Sequence, residues 1–324
     1  MSATFTAEEI LSATGGRLVC GVMSEQGRGR IVWDLDEVAA GDWFIAIPSE
    51  FQDPHDHLAQ AFAKGARGCI VNRRQRYASA DQHGALISVA DTRTALLDLV
   101  RYWRQAVGAR VVGVSGSMGR RATMILINQL VQDKLNVHLA FMGNLGWFGC
   151  IRGILAMPQG TEVLVFEAGA VERGDIARLG GALDPDLVII TGVNHVLPSS
   201  ERDARLAALY CELLETLKEF PEERISAVIF DQSSAVRERS KQLLGNLTAV
   251  QHSLSGNSLA QRVSQQSLEQ LSVAMQHAIG QAVSEAELWC ATEAAKVLGL
   301  SKHELEEILG LASTVQTDAS SFAA

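Results

Sequence analysis

The spacing of apolar residues divides the chain into two parts with different patterns. Through residues 1 to about 92, short apolar runs alternate with short helical stretches, which predicts a small α/β unit. From residue 93 to about 315, continuous apolar strands alternate with amphipathic helices, as in a mostly parallel sheet covered on both faces. The polar stretch 316–324 is interpreted as a tail. We therefore predict an α/β protein of two domains, 1–92 and 93–315.

The individual elements follow from the same spacing. Thr6 and Glu9 predict a capping box for a first helix that ends at Gly15. The predicted strands are 17–22, 31–33, 42–47, 68–71, 85–89, 110–114, 162–166, 187–191 and 227–230. The further predicted helices are 58–64, 92–107, 122–135, 175–179, 202–219 and 234–244, and most of the last 70 residues are also expected to be helical.

Composition narrows the functional classes. The 324 residues are 47% hydrophobic and 20% charged, which is ordinary for a globular protein. A net charge of −9 argues against a nucleic acid or an anionic membrane as the main partner. The five cysteines are dispersed singly, which is typical of free thiols in a reducing compartment. No stretch of the sequence has the roughly 18 apolar residues of a membrane span. We predict a cytoplasmic protein.

The stretch VVGVSGSMGRRATMILINQL, residues 111–130, has the layout of a phosphate-binding loop between a strand and a helix. Gly116 and Gly119 have the required spacing, and Ser117 lies between them. The lysine that would reach the phosphates is replaced by Arg120, and the hydroxyl residue that would bind magnesium is replaced by Arg121. Two interpretations follow. The planar guanidinium of arginine can donate two parallel hydrogen bonds to a phosphate group, so the loop could be a rebuilt anion site. The favoured interpretation is a loop kept only for folding.

Several stretches resemble motifs of the Mur ligase family, and within it the MurF type, and they occur in the same order as in that family. They are VAAGDWFIAIPSEFQDPHDHLAQAFAKGARGCIV, GVSGSMGRRAT, GNLGWFG, VFEAGAVERGDIARL, LDPDLVIITGV and ATEAAKVLGLSKHELEEILGLAS, and together they extend over residues 8–313. The resemblance implies a uridine-nucleotide-type first domain and an ATPase-type central domain with a parallel sheet and P-loop-like topology. It implies an activity that joins a carboxylate to an amine with ATP and Mg²⁺. The family's third domain would begin where this sequence ends; the tail is expected to be a natural terminus, with truncation as the alternative.

The resemblance is weaker at the residues that carry the family's chemistry in the central domain. Glu167 matches a magnesium-binding glutamate. Tyr210 stands where the family has a carbamylated lysine, and Glu212 keeps the glutamate that follows. His195 lies near a further metal ligand, but the local spacing is shorter, so a loop histidine is the favoured interpretation. No metal site is predicted beyond this remnant at Glu167.

The resemblance is also weaker at the family's binding residues in the first domain and in its adenine-binding stretch. The family's D-S-R reads Asp34-Leu35-Asp36, which replaces a phosphate-facing arginine with a carboxylate. Asp53 and His55 match the outer letters of D-G-H; the cluster around them is a metal site or, as we favour, a solvated loop. The asparagine of the adenine-binding stretch is missing from 230–233, and the H-N pair is missing from VSEAELW.

Three functional hypotheses remain. The leading one is a catalytically degenerate ligase-like protein without a cofactor, which binds a protein partner or itself. Trp147 and Phe148 are its candidate interface residues, although both could instead pack inside their own domain. The alternative is an ATP- and Mg²⁺-dependent amide ligase with a rebuilt phosphate site, in peptidoglycan-like or natural-product biosynthesis. The third is new chemistry in the old cleft, with Glu167, Tyr210, Glu212 and His195 as candidates.

Overall fold

The computed structural model describes residues 2–21, 27–50, 52–72, 84–170, 172–191, 200–217, 225–230, 234–244, 248–251 and 283–309. The chain divides into two compact units, the first formed by Met1–Ala109 with Ile154–Thr161 and the second by Arg110–Gly153 with Glu162–Ala324. The predicted domains rest on the spacing of apolar residues along the chain rather than on compactness, so their bounds stay a prediction. His195 and the tail 316–324 lie outside the described residues.

The first unit is built on a five-stranded sheet in the order β1-β5-β4-β3-β2. All neighbouring strands are parallel except β1 and β5. The strands are β1 (Arg17–Cys20), β2 (Ile31–Val32), β3 (Trp43–Ile45), β4 (Gly68–Asn72) and β5 (Ala85–Val89), and the helices are α1 (Ala7–Thr14), α2 (Leu58–Ala63) and α3 (Thr92–Val107). Two short 3₁₀ helices cover Leu35–Glu37 and Pro54–His57.

Local signals in the sequence account for the helix ends of this unit. Thr6 and Glu9 form the predicted capping box, and Gly15 ends α1 in the left-handed conformation with φ 59°. Asp91 caps α3 through the amide of Thr94, and Gly108 ends that helix in the same way as Gly15.

The G-D-W-F segment has a structural role. The guanidinium of Arg30 donates two hydrogen bonds to Asp42, from Nε at 3.0 Å and from Nη2 at 2.6 Å. Trp43 Nε1 donates to the carbonyl of Phe5 at 3.0 Å. These contacts join β3 to the chain segments beside it, so the side chains of Asp42 and Trp43 have structural partners within this unit.

The second unit is built on a six-stranded parallel sheet in the order β11-β10-β9-β6-β8-β7. The strands are β6 (Arg110–Ser115), β7 (Val137–Ala140), β8 (Val163–Ala168), β9 (Leu187–Ile190), β10 (Ile225–Ile229) and β11 (Thr248–Gln251). The helices are α4 (Arg120–Val131), α5 (Trp147–Leu155), α6 (Asp175–Leu183), α7 (Ser200–Tyr210), α8 (Ser234–Leu244), α9 (Glu285–Val297) and α10 (Lys302–Ile308). Apolar residues of α4 and α9 pack with β6, β8 and β9 in one buried cluster. The predicted α/β class with mostly parallel sheets is confirmed.

The predicted helix 202–219 is wrong in its length. The segment 202–219 is not a single helix, because α7 ends at Tyr210 and a 3₁₀ helix covers Cys211–Thr216. Four consecutive residues, Cys211 to Leu214, are buried, which one face of an α-helix cannot provide. A Cβ at Gly113 or at Gly180 would lie within 3 Å of Leu213, so the glycines of β6 and α6 make room for this segment.

Strands β7 and β11 and helix α5 were not predicted. Strand β7 and helix α5 lie in the segment 137–155, where the burial of residues does not follow one simple period. None of the helices in the described part of the chain has both the length and the hydropathy of a membrane span.

Candidate functional site

The glycine loop follows β6 directly and leads into α4. Gly116 and Gly119 have φ values of 140° and 76°, which only glycine adopts without strain. Gly119 is the residue before the first turn of α4. The loop therefore lies beyond the carboxyl end of a central parallel strand, where such sheets bind ligands.

The side chain of Arg120 binds the loop backbone and a neighbouring carboxylate. Its Nε donates a hydrogen bond of 3.0 Å to Oε1 of Glu167, and its Nη1 donates to the carbonyl of Gly116. The other carboxylate oxygen of Glu167, Oε2, accepts the backbone N–H of Met142 at 3.0 Å. Glu167 is buried, and both of its oxygens have protein donors. The candidate metal ligand is thus neutralised by the arginine that replaces the loop lysine.

Two hydroxyl groups connect the loop, and the strand that precedes it, to neighbouring segments. Thr191, which follows β9, donates from Oγ1 to the carbonyl of Met118 at 2.6 Å. Ser115 donates from Oγ to the carbonyl of Tyr210 at 2.9 Å. These hydroxyls are used for structure. Tyr210 participates through its main chain, which any residue type could supply.

Arg121 does not enter the loop. Its side chain is exposed, and its guanidinium carbon lies 4.8 Å from the centre of the Phe141 ring, a cation–π contact. The position that would supply a magnesium-binding hydroxyl is therefore occupied by a cation that rests on a neighbouring aromatic ring.

Glu287 of α9 is a loop neighbour that the sequence analysis missed. A Cβ placed on Gly119 would lie 2.9 Å from both Cγ and Oε1 of Glu287, so the carboxylate packs directly against the last loop residue. Burial raises the pKa of Glu287, and hydrogen bonds with Ser284 lower it in part. The pattern Ser284-x-x-Glu287 before an apolar run was visible as a capping box, but it gave no indication of the contact with Gly119.

Glu212 caps a helix. Both of its carboxylate oxygens accept the backbone N–H of Gly174 at 3.0 Å, immediately before α6 begins at Asp175. A carboxylate at a helix N-terminus is favoured by the helix dipole. Glu212 and Glu167 therefore have separate partners. Among the described residues, no three His, Cys, Asp or Glu side chains come together as a metal site.

The candidate residues of the first unit have local partners. Asp34 accepts the N–H of Asp36 and caps a 3₁₀ helix, whereas the side chain of Asp36 is 96% exposed. His55 Nδ1 donates to Asp53 at 2.5 Å, and its Nε2 accepts the N–H of Asn72 at 3.1 Å. These two contacts connect the segment around His55 to Asp53 and to the end of β4.

The candidate interface residues are half-buried. The rings of Trp147 and Phe148 pack edge to face, with centroids 5.1 Å apart. Among the described residues of the second unit, the most exposed large apolar side chains are instead Met118 in the loop, at 58%, and Leu145 before α5, at 54%. An interface at Trp147 and Phe148 stays a prediction.

Mg²⁺ and ATP, which the sequence resemblance implies, do not fit this set of side chains. The oxygens of Glu167 bind Arg120 and Met142, and no hydroxyl is available at residue 121. A bound phosphate would also meet the carboxylate of Glu287 at Gly119. The loop keeps the glycine conformations of a phosphate loop, and residues 120 and 121 are arginines rather than the lysine and hydroxyl residue of that motif.

The chain was compared with known proteins by sequence and by fold. No family model matches the chain. The UDP-N-acetylmuramoyl-tripeptide–D-alanyl-D-alanine ligase of Bacillus subtilis is 32% identical over 191 residues, which are 58% of this chain and 41% of the relative. The corresponding ligase of Synechocystis is 29% identical over 215 residues, 65% of this chain and 45% of the relative. The chain spans less than half the length of these relatives.

Solved structures give the same result. MurF from Acinetobacter baumannii superposes with a TM-score of 0.75 at 21% identity, over 96% of this chain and 68% of that structure, which shows the fold. The MurF ligase of Thermotoga maritima in complex with ADP gives a TM-score of 0.58 at 26% identity, over 71% of this chain and 51% of that structure. The chain is a MurF-like homologue of the Mur ligases.

Proposed function

We propose that this chain is a catalytically degenerate Mur-ligase-like protein, without amide-ligase activity of its own, that acts by binding a protein partner or a second copy of itself. The observation that carries the proposal is the contact of Arg120 with Glu167 and with the carbonyl of Gly116. A protein cation occupies the loop, and it also holds the carboxylate that a metal ion would need.

The cost of opening the loop supports the proposal. A ligand that recruits Glu167 must first break its charge-assisted hydrogen bond to Arg120, which contributes about 2 kcal/mol. That cost alone weakens binding about thirtyfold. No lysine or hydroxyl is present at residues 120 and 121 to recover it.

The binding role is supported by exposed apolar side chains at the same end of the sheet. Met118 lies between β6 and α4, and Leu145 lies between β7 and α5, so both follow the carboxyl ends of parallel strands. Both side chains are more than half exposed, at 58% and 54%. Exposed apolar groups of this size mark interaction sites in many proteins.

The alternative function is an ATP-dependent amide ligase with a rebuilt phosphate site. It is favoured by the conformations of Gly116 and Gly119, which still suit a phosphate loop, and by the similarity to the Thermotoga maritima ligase, whose structure is a complex with ADP. In this case Arg120 would leave Glu167 and contact phosphate instead. Because the sequence relatives are UDP-N-acetylmuramoyl-tripeptide–D-alanyl-D-alanine ligases, the tripeptide nucleotide and D-alanyl-D-alanine are the substrates to try.

Calorimetric titration with ATP in the presence of Mg²⁺ decides between the two functions. The proposal predicts no magnesium-dependent heat at micromolar ATP. A saturable, magnesium-dependent signal in that range would support the alternative instead.

A further inference from the structure

The side chain of Glu287 has a fixed position at the start of α9. Its Oε2 accepts the backbone N–H of Ser284 at 2.6 Å, and its own N–H donates to Oγ of Ser284 at 3.3 Å. The residue is 7% exposed. One carboxylate oxygen is therefore used by the capping box, which fixes the direction of the other.

The other oxygen, Oε1, faces the loop. It would lie 2.9 Å from a Cβ on Gly119, the residue that precedes α4. The N-terminus of a helix carries about half a positive charge and ordinarily attracts anions. In this protein an anion of the chain itself lies beside that helix end.

We propose that Glu287 acts as an internal anion for the glycine loop and excludes phosphate-bearing ligands from it. The inference rests on the proposed function and extends it, because Glu287 comes from a different helix and does not take part in the contact of Arg120 with Glu167. Burial raises the pKa of Glu287, and the hydrogen bonds of its capping box partly offset this effect.

The expected effect follows from the charges. A phosphate group at the loop would lie within a few ångströms of the Glu287 carboxylate, and like charges at that distance, where the protein partly excludes water, repel by about 1.4 kcal/mol or more, which is a tenfold change in affinity. Replacing the carboxylate with a neutral group of the same shape should raise the affinity for a polyphosphate anion about tenfold or more.

The test is titration of inorganic triphosphate, with EDTA and without metal, into the wild-type chain and into Glu287→Gln. Glutamine at this position keeps the capping box, so the helix start should be preserved. Glu285→Gln is the matched control, because Glu285 is exposed on the first turn of the same helix and its loss changes the net charge equally. Glu287→Met, which fills the same space without charge, is the second variant.

We expect no triphosphate binding to the wild type or to Glu285→Gln below about 1 mM, and binding at least about tenfold tighter to both Glu287 variants. Equal behaviour of the Glu287 variants and Glu285→Gln would overturn the inference and leave the proposed function intact. Tight, magnesium-dependent ATP binding to the wild type would overturn the proposed function itself, so the two failures can be told apart.

Discussion

Separating Arg120 from Glu167 should destabilise the glycine loop, and a double-mutant cycle measures by how much. The variants are Arg120→Met, Glu167→Gln and the pair together. The hydrogen bond between the two charges is 3.0 Å long, and the side chains are 22% and 11% exposed. Charge-assisted bonds contribute about 1.5–3 kcal/mol, and this pair is only partly shielded from water, so we expect a coupling energy of about 2 kcal/mol.

Two assays measure this coupling. Urea unfolding of the second unit gives the free energies for the cycle. Hydrogen exchange of the loop amides at 116–121 gives the local opening, which should become about thirtyfold faster in each single variant. The control is Arg121→Met, whose exposed cation–π contact should contribute only about 0.5 kcal/mol. Single effects that simply add in the double variant would show that the pair does not hold the loop, and would refute the reasoning.

Two further predictions concern the loop surface and its carboxylate. Replacing Met118 and Leu145 with serine removes exposed apolar area and should weaken self-association or partner binding about tenfold, as measured by analytical ultracentrifugation or pull-down. The control is Val19→Ser, which removes an apolar side chain that is 48% exposed in the first unit and should have no effect. A wild type that stays monomeric at high concentration and captures no partner would contradict this. Folding raises the pKa of Glu287 above its ordinary value of 4.5, so the ionised carboxylate lowers the stability of the folded protein above the raised pKa. Below pH 4.5 the group is protonated in both states and this cost disappears. Glu287→Gln should therefore be more stable than the wild type at about pH 7 and lose this advantage as the pH falls towards about 4. Urea melts across this pH range that show the same trend for Glu285→Gln would contradict the assignment.

Much of the fold could be predicted because its signals are local. Helix α3 has the predicted bounds 92–107, since Asp91 caps its start and Gly108 ends it. Helix α8 also has the predicted bounds 234–244. The segment after Tyr210 could not be predicted, because the burial of Cys211 to Leu214 depends on space left by distant glycines rather than on local spacing.

The site was predictable only in part for a related reason. The glycine spacing located the loop, and the sequence also showed that residues 120 and 121 differ from the lysine and hydroxyl residue of a phosphate loop. The charges of Arg120 and Glu167 were visible in the sequence, but their pairing was not, because strand order brings β8 beside β6 from a distant part of the chain. The contact of Glu287 with Gly119 also depends on the packing of two helices that are remote in sequence.

The central claim is that the loop is occupied by its own side chains and has lost magnesium-dependent nucleotide binding. Its most direct test is calorimetric titration of the wild-type chain with ATP, with and without Mg²⁺, beside the variant Arg120→Lys with Arg121→Thr, which restores the lysine and hydroxyl of a phosphate loop. We predict no magnesium-dependent heat for the wild type at micromolar ATP and a gain of binding in the restored variant. Saturable, magnesium-dependent ATP binding by the wild type at micromolar ATP would contradict the claim.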